Sequence, residues 1–209
     1  MVSPHRERST TRSWWLRARA LAVGGLVLSA GTAATLAAWN DSEYASATIT
    51  ASVFQIEGST TSSTTGYSDH EASASAAALT FSPPVGAMTP SAQTHAGFWV
   101  RTKSASTAGT IVVQPPVSTG ALAPALTYGI RVVPATGGCT AATFGASTTT
   151  IIPPGTALTA TTAGTSIPIA AAGATPVQLC FQVTLPSTTA NTFQGTSATP
   201  TWQLLGTST

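Results

Sequence analysis

Val177-Gln178-Leu179-Cys180-Phe181-Gln182-Val183-Thr184-Leu185 alternates apolar and other side chains with a period of two. Successive side chains of a β-strand point to opposite faces. Val177, Leu179, Phe181, Val183 and Leu185 therefore share one face, with Gln178, Cys180, Gln182 and Thr184 on the other. That is the pattern of a strand with one buried face. Residues 126–132, LTYGIRV, repeat it, with Leu126, Tyr128, Ile130 and Val132 opposite Thr127, Gly129 and Arg131. Phe98 and Val100 alternate with Trp99 and Arg101, and Ile111 to Val113 form a short apolar run closed by Pro115-Pro116. Nearer the N-terminus Ala47, Ile49, Ala51 and Val53 lie on one face, whereas Phe54 and Ile56 fall on the other. The change of phase predicts a bulge or bend at Val53-Phe54.

Turn-forming residues separate these runs: Pro83-Pro84, Pro115-Pro116, Gly137-Gly138, Pro153-Pro154-Gly155 and Gly173. No window beyond the N-terminal region shows the apolar spacing of an amphipathic helix. Glu71 to Leu79, EASASAAAL, has helical propensity through its alanines but lacks an apolar stripe, and it reads equally as a strand after a turn. A chain this rich in Ser, Thr, Ala and Gly invites a disordered reading, yet the clean alternation argues for strands that bury a face. Without an internal repeat or a charged linker, the expected fold is all-β: a single antiparallel β-sandwich, jelly-roll-like, of about 170 residues around one core.

The N-terminal region follows different rules. Arg6, Arg8, Arg12, Arg17 and Arg19 precede a Leu/Val/Ala/Gly stretch from Leu21, which ends in the small-residue step Ala37-Ala38 and a polar turn. This is the layout of an export signal. A permanent anchor is the competing reading, but Gly24, Gly25, Ser29, Gly31, Thr32 and Thr35 lower the hydrophobicity, and the alanine pair suits a peptidase pocket. Residues 1–38 are expected to be the signal peptide and 39–209 the sandwich domain. No arginine pair marks export of a folded protein, no cysteine stands ready for a lipid, and the closing LLGTST has neither an apolar tail nor a basic stop. Membrane association is expected only through the signal before cleavage.

Charge supports a function outside nucleic-acid binding. Only 7% of residues are charged, and the formal net charge of +2 depends on the leader. After residue 38, Arg101, Lys103 and Arg131 stand against Asp41, Glu43, Glu57, Asp69 and Glu71, which leaves −2. No basic footprint for nucleic acid remains. From Val132 onward there is no formal charge at all, a composition that favours association over dispersal.

Thr35-Leu-Ala-Ala-Trp-Asn-Asp-Ser-Glu43, followed by SATITASVFQIEGS, resembles the SipW-type signal and mature N-terminus of the TasA/camelysin family. Phe98-Trp-Val-Arg-Thr-Lys103, Ser106-Thr-Ala-Gly-Thr110, Leu179-Cys-Phe-Gln-Val-Thr-Leu-Pro186 and Gln194-Gly-Thr196 with Trp202 extend the resemblance toward its actinobacterial branch. The resemblance implies cleavage between Ala38 and Trp39 by a signal peptidase of the SipW type. It also implies a secreted structural protein of the cell surface or biofilm matrix, whose partners are further copies of itself or other matrix subunits. In such a protein the released segment Trp39 to Ile56 adds as a strand to the next subunit, with Ile49 and Val53 inserting and Trp39 or Tyr44 filling a terminal pocket. Pairing of the same segment within its own domain is the alternative. A monomeric secreted adhesin or ligand-binding sandwich is the second functional class, and a secreted metalloprotease the third.

Cys139 and Cys180 are the only cysteines, and in an exported chain they are expected to form a structural disulfide. It would close a loop of about forty residues, worth roughly 4 kcal/mol on the chain-entropy account. Asp69-His70-Glu71 and His95 are the nearest approach to a metal or catalytic cluster, but HExxH and GxSxG are both missing. No cofactor, metal ligand or catalytic residue is assigned, and the protein is not expected to be an enzyme. Trp99 and Trp202 read as core aromatics before carbohydrate platforms, and Arg101 and Lys103 as guards of a strand edge. Asn40-Asp41-Ser42 fits the glycosylation pattern, but its place beside the cleavage site suggests peptidase recognition.

Overall fold

The computed structural model describes residues 11–35 and 41–209, which divide into two units, Met1–Ile49 and Thr50–Thr209. In the first, α1 (Thr11–Thr35) is a continuous helix whose Trp14, Trp15 and Leu21 side chains are exposed. Among the described residues no helix is long and apolar enough to cross a membrane. The expected cleavage position, Ala38 and Trp39, lies outside the described residues, as does Asn40.

The second unit is an all-β, antiparallel sandwich. One sheet contains β1 (Ile56–Ser59), β2 (Gln93–Thr102), β5 (Thr127–Val133), β6 (Thr149–Ala157) and β8 (Val177–Thr184), in the order β1-β2-β8-β5-β6. The other contains β3 (Gly109–Val113), β7 (Ile167–Ile169) and β10 (Leu204–Ser208), in the order β10-β3-β7. A ribbon of β4 (Val117–Thr119) and β9 (Thr199–Thr201) completes the set. These antiparallel sheets bear out the all-β sandwich expectation.

Period-two alternation places the core. Tyr128, Ile130, Leu179, Phe181, Val183 and Val100 project from the larger sheet toward Ile111, Val113, Ile167 and Ile169 of the smaller one. β8 occupies the centre of the larger sheet, where β2 and β5 saturate both its edges. Its second face is buried too, contrary to the one-face expectation. Gln178, Cys180 and Gln182 lie beneath residues 134–148, which fold back across the sheet.

That covering segment contains α2 (Ala141–Ala146), a helix without an apolar stripe that the sequence reading missed. Thr140 caps it: its Oγ1 accepts from the Thr143 N–H, and the Thr143 Oγ1 accepts from the Thr140 N–H. The signal was the Thr-x-x-Thr spacing, a variant of the capping box. Phe144 drives the helix down onto the sheet, and the Cys139–Cys180 disulfide fixes it there, linking residues 41 apart in sequence.

Three local expectations change. Pro153-Pro154-Gly155 lies inside β6, not in a loop between strands; β6 is an edge strand, so a proline facing away from the ladder removes no bond. Register shifts against β5 absorb the irregularity. Glu71 to Leu79 forms neither strand nor α-helix, only a short 3₁₀ turn at Ser73–Ser75. Residues 47–52 form no strand despite their alternation; Val53 makes one isolated bridge to Ser106, and regular pairing starts at Ile56.

Candidate functional site

The smaller sheet and the ribbon do not cover the whole core face of the larger one. A cavity of about 880 Å³ remains on the side where β1 and β10 lie. Phe98, Val100 and Phe181 form its floor, Phe54 and Ile56 one side, and Trp202 and Leu204 the other. The remaining wall is the irregular strap 71–81, which offers Ala72, Ala76, Ala77 and Ala78 before Leu79 and Phe81. Alanine methyl groups fill little of the distance between two sheets about 10 Å apart, so the gap follows from the composition of the strap.

Close glycine contacts shape the floor. The Phe98 ring lies directly over Gly58 of β1, where a Cβ would overlap it, and Phe54 lies over Gly109 and Gly206 in the same way. These rings therefore stay against the sheets instead of filling the cavity. Trp202 packs its ring 5.0 Å from Phe181 and 6.1 Å from Tyr128. Its buried Nε1–H has no hydrogen-bond partner among the described residues, and neither does the Tyr128 hydroxyl. Burial also raises the Tyr128 pKa above the ordinary phenol value, which keeps the group neutral. An unpaired buried donor costs about 1–3 kcal/mol.

The rim is polar and pinned. Arg101 Nε bonds Glu57 Oε1 at 2.7 Å, and its guanidinium lies 3.7 Å above the Tyr67 ring. Burial raises the Tyr67 pKa, while the Arg101 charge opposes the shift. Lys103 Nζ meets Asp69 Oδ2 at 2.7 Å, a bond that raises the lysine pKa. Arg101 and Lys103 thus do not guard a free edge, because β2 is flanked by β1 and β8. They hold residues 57–69 in place, bringing His70 to 6.4 Å from Phe98 at the cavity wall.

His95 is far from that chemistry. It projects from the opposite face of β2, 3% exposed, with its ring 5.6 Å from Phe144. Its Nε2 accepts from the Gln182 amide at 3.2 Å, and the same amide donates to Gln93 Oε1. Burial lowers its pKa. Asp69, His70 and Glu71 are therefore not assembled with His95, and among the described residues no three potential ligands form a metal site. Trp99 shares the His95 face and donates from Nε1 to the Ala135 carbonyl at 2.8 Å, which helps hold the covering segment.

The proposed assembly residues are divided. Tyr44 and Ile49 are each 93% exposed and Val53 is 47% exposed, while Trp39 lies outside the described residues. Residues 41–53 are exposed throughout, and 41–52 carry no secondary structure. Sequence reasoning missed the strap and the cavity because an unfilled space leaves no periodic signal. No protein-family model matches the chain, and no curated protein does.

Proposed function

We propose that the chain is a secreted structural protein of the cell surface or extracellular matrix that assembles with further copies of itself by strand addition. One observation carries the reading: an exposed segment patterned as a strand, Ala47 to Val53, belongs to the same chain as an uncovered apolar cavity of about 880 Å³. A head-to-tail contact of this kind does not close, so it propagates into a filament. The arginine-led leader supports export, and the disulfide fits an oxidising compartment. The chain from Val132 onward presents no formal charge that would oppose subunit contact.

Deleting Trp39 to Ser52 from the mature protein, which leaves Val53 and its bridge to Ser106, tests the reading. Negative-stain imaging should show filaments for the intact protein and their loss for the truncation. Filaments of unchanged abundance would sink the donor role.

The cavity volume also falls in the range of small-molecule sites, about 300–1,000 Å³, which favours a ligand-binding sandwich as the second reading. Sedimentation separates the two. Mass that grows with concentration supports assembly, and a monomer at high concentration supports the binding module.

A further inference from the structure

The cavity over Phe98 and Phe181 is far larger than the gap left by one missing side chain. At about 880 Å³ it approaches the upper end of small-molecule sites, roughly 300–1,000 Å³. Its lining includes the rings of Phe54, Phe81, Phe98, Phe181 and Trp202. The mouth is apolar as well. Val85, directly after Pro83-Pro84, is 49% exposed, and Val117, the first residue of β4, is 74% exposed; both line the cavity. Valines left in water at the entrance to an apolar space favour an apolar guest, because its arrival takes them and the aromatic floor out of water together.

Formal charge narrows the guest further. Among the described residues the lining includes Glu57 and Glu71 but neither lysine nor arginine. Glu57 is already held by Arg101 at 2.7 Å and asks for no second cation. Glu71 is exposed, and water screens an exposed carboxylate, so its pull on a cation is worth little. An acid head, by contrast, would give up its hydration in an apolar space that holds no basic partner to replace it. Neutral polar groups are better served, since Ser73, Thr199 and Thr201 belong to the same lining.

We infer that the cavity binds an uncharged, largely apolar small molecule, whose polar groups are hydroxyl or carbonyl and not acid, and which enters past Val85 and Val117. This rests on the ligand-binding reading of the cavity and is independent of filament assembly. It adds the chemistry that the site accepts and the side from which it is reached. The strap sets the capacity. Ala76 and Ala77 give the wall only methyl groups, so a larger side chain at either position takes the space of the guest without altering a sheet.

Binding of two fluorescent probes to the mature protein tests the assignment. N-phenylnaphthylamine is neutral, and anilinonaphthalene sulfonate carries the same rings with a negative charge. The neutral probe should bind saturably and about tenfold more tightly than the sulfonate, which loses hydration beside Glu71 without a basic partner. Glu71→Lys should raise the affinity of the sulfonate about threefold, the scale of an exposed ion pair. Ala77→Trp should abolish binding of the neutral probe while the melting temperature stays near that of the parent. Ala76→Trp, at a more exposed point of the strap, takes its place if that variant does not fold. Equal affinity for the two probes would overturn the uncharged class and leave a binding cavity. Saturable binding that survives a folded tryptophan variant would overturn the assignment to this cavity. No binding of either probe would overturn the inference together with the ligand-binding reading.

Discussion

Residues 177–185 and 47–53 present the same alternation, yet one is the central strand of a sheet and the other forms no strand. Leu179 is 0% exposed and Ile49 is 93% exposed. The difference lies in the neighbours. β8 has β2 and β5 on its two edges, the core beneath one face and residues 134–148 over the other. Residues 47–52 have no strand beside them. A strand satisfies only half of its backbone groups on each side, so alternation states a capacity for pairing and leaves the partner unspecified.

Removing the covalent clamp should strike this comparison hardest. The double substitution Cys139→Ser and Cys180→Ser should lose roughly 4 kcal/mol in chemical unfolding, by the closed-loop entropy. A loss under about 1 kcal/mol would mean that Phe144 and Trp99 hold the covering segment unaided. Next come paired truncations in the two alternating segments. Leu179→Ala should destabilise the domain by roughly 3 kcal/mol through transfer and cavity terms. Ile49→Ala should leave the melting temperature unchanged but reduce filament yield. Equal effects of the two substitutions on melting would show that residues 47–53 already belong to the folded core.

The smallest effect concerns pH at the covered face of β8. His95 faces Gln93 on its own strand, Gln182 on β8 and Phe144 on α2, with the Arg131 guanidinium 5.0 Å from the other ring contact, Phe144. Protonation would put a second cation beside that ring and remove the acceptor for Gln182. Its folded pKa lies below the ordinary value near 6.5, so the unfolded chain binds more protons in that window. The contribution is full above about 6.5 and is lost as pH falls through the lowered folded value. His95→Gln should flatten unfolding free energy between pH 7 and pH 5 relative to the parent, by about the slope of one proton. Identical slopes would assign the acid sensitivity elsewhere.

Much of the sandwich was legible because strand periodicity is local. The core faces of residues 126–132 and 177–185 follow directly from alternation, and the disulfide from a chain that has two cysteines. The candidate site was far less legible. Its floor residues Phe98 and Phe181 read as core, which they are, while the cavity depends on the alanines of a strap distant in sequence. α2 escaped notice because six residues cannot display a helical stripe and the helix is held by a threonine cap and one phenylalanine.

The sequence by itself determined the all-β class, the two-residue faces, the cysteine pair and the near-absence of charge, since each follows from side-chain chemistry or short-range spacing. Tertiary structure decided that β8 is buried on both faces, that residues 47–52 are without strand partners and that β10 keeps an open edge. Those outcomes depend on which segments lie side by side. Backbone hydrogen bonds and packing space are shared between residues far apart in the chain, and no local pattern records who shares them.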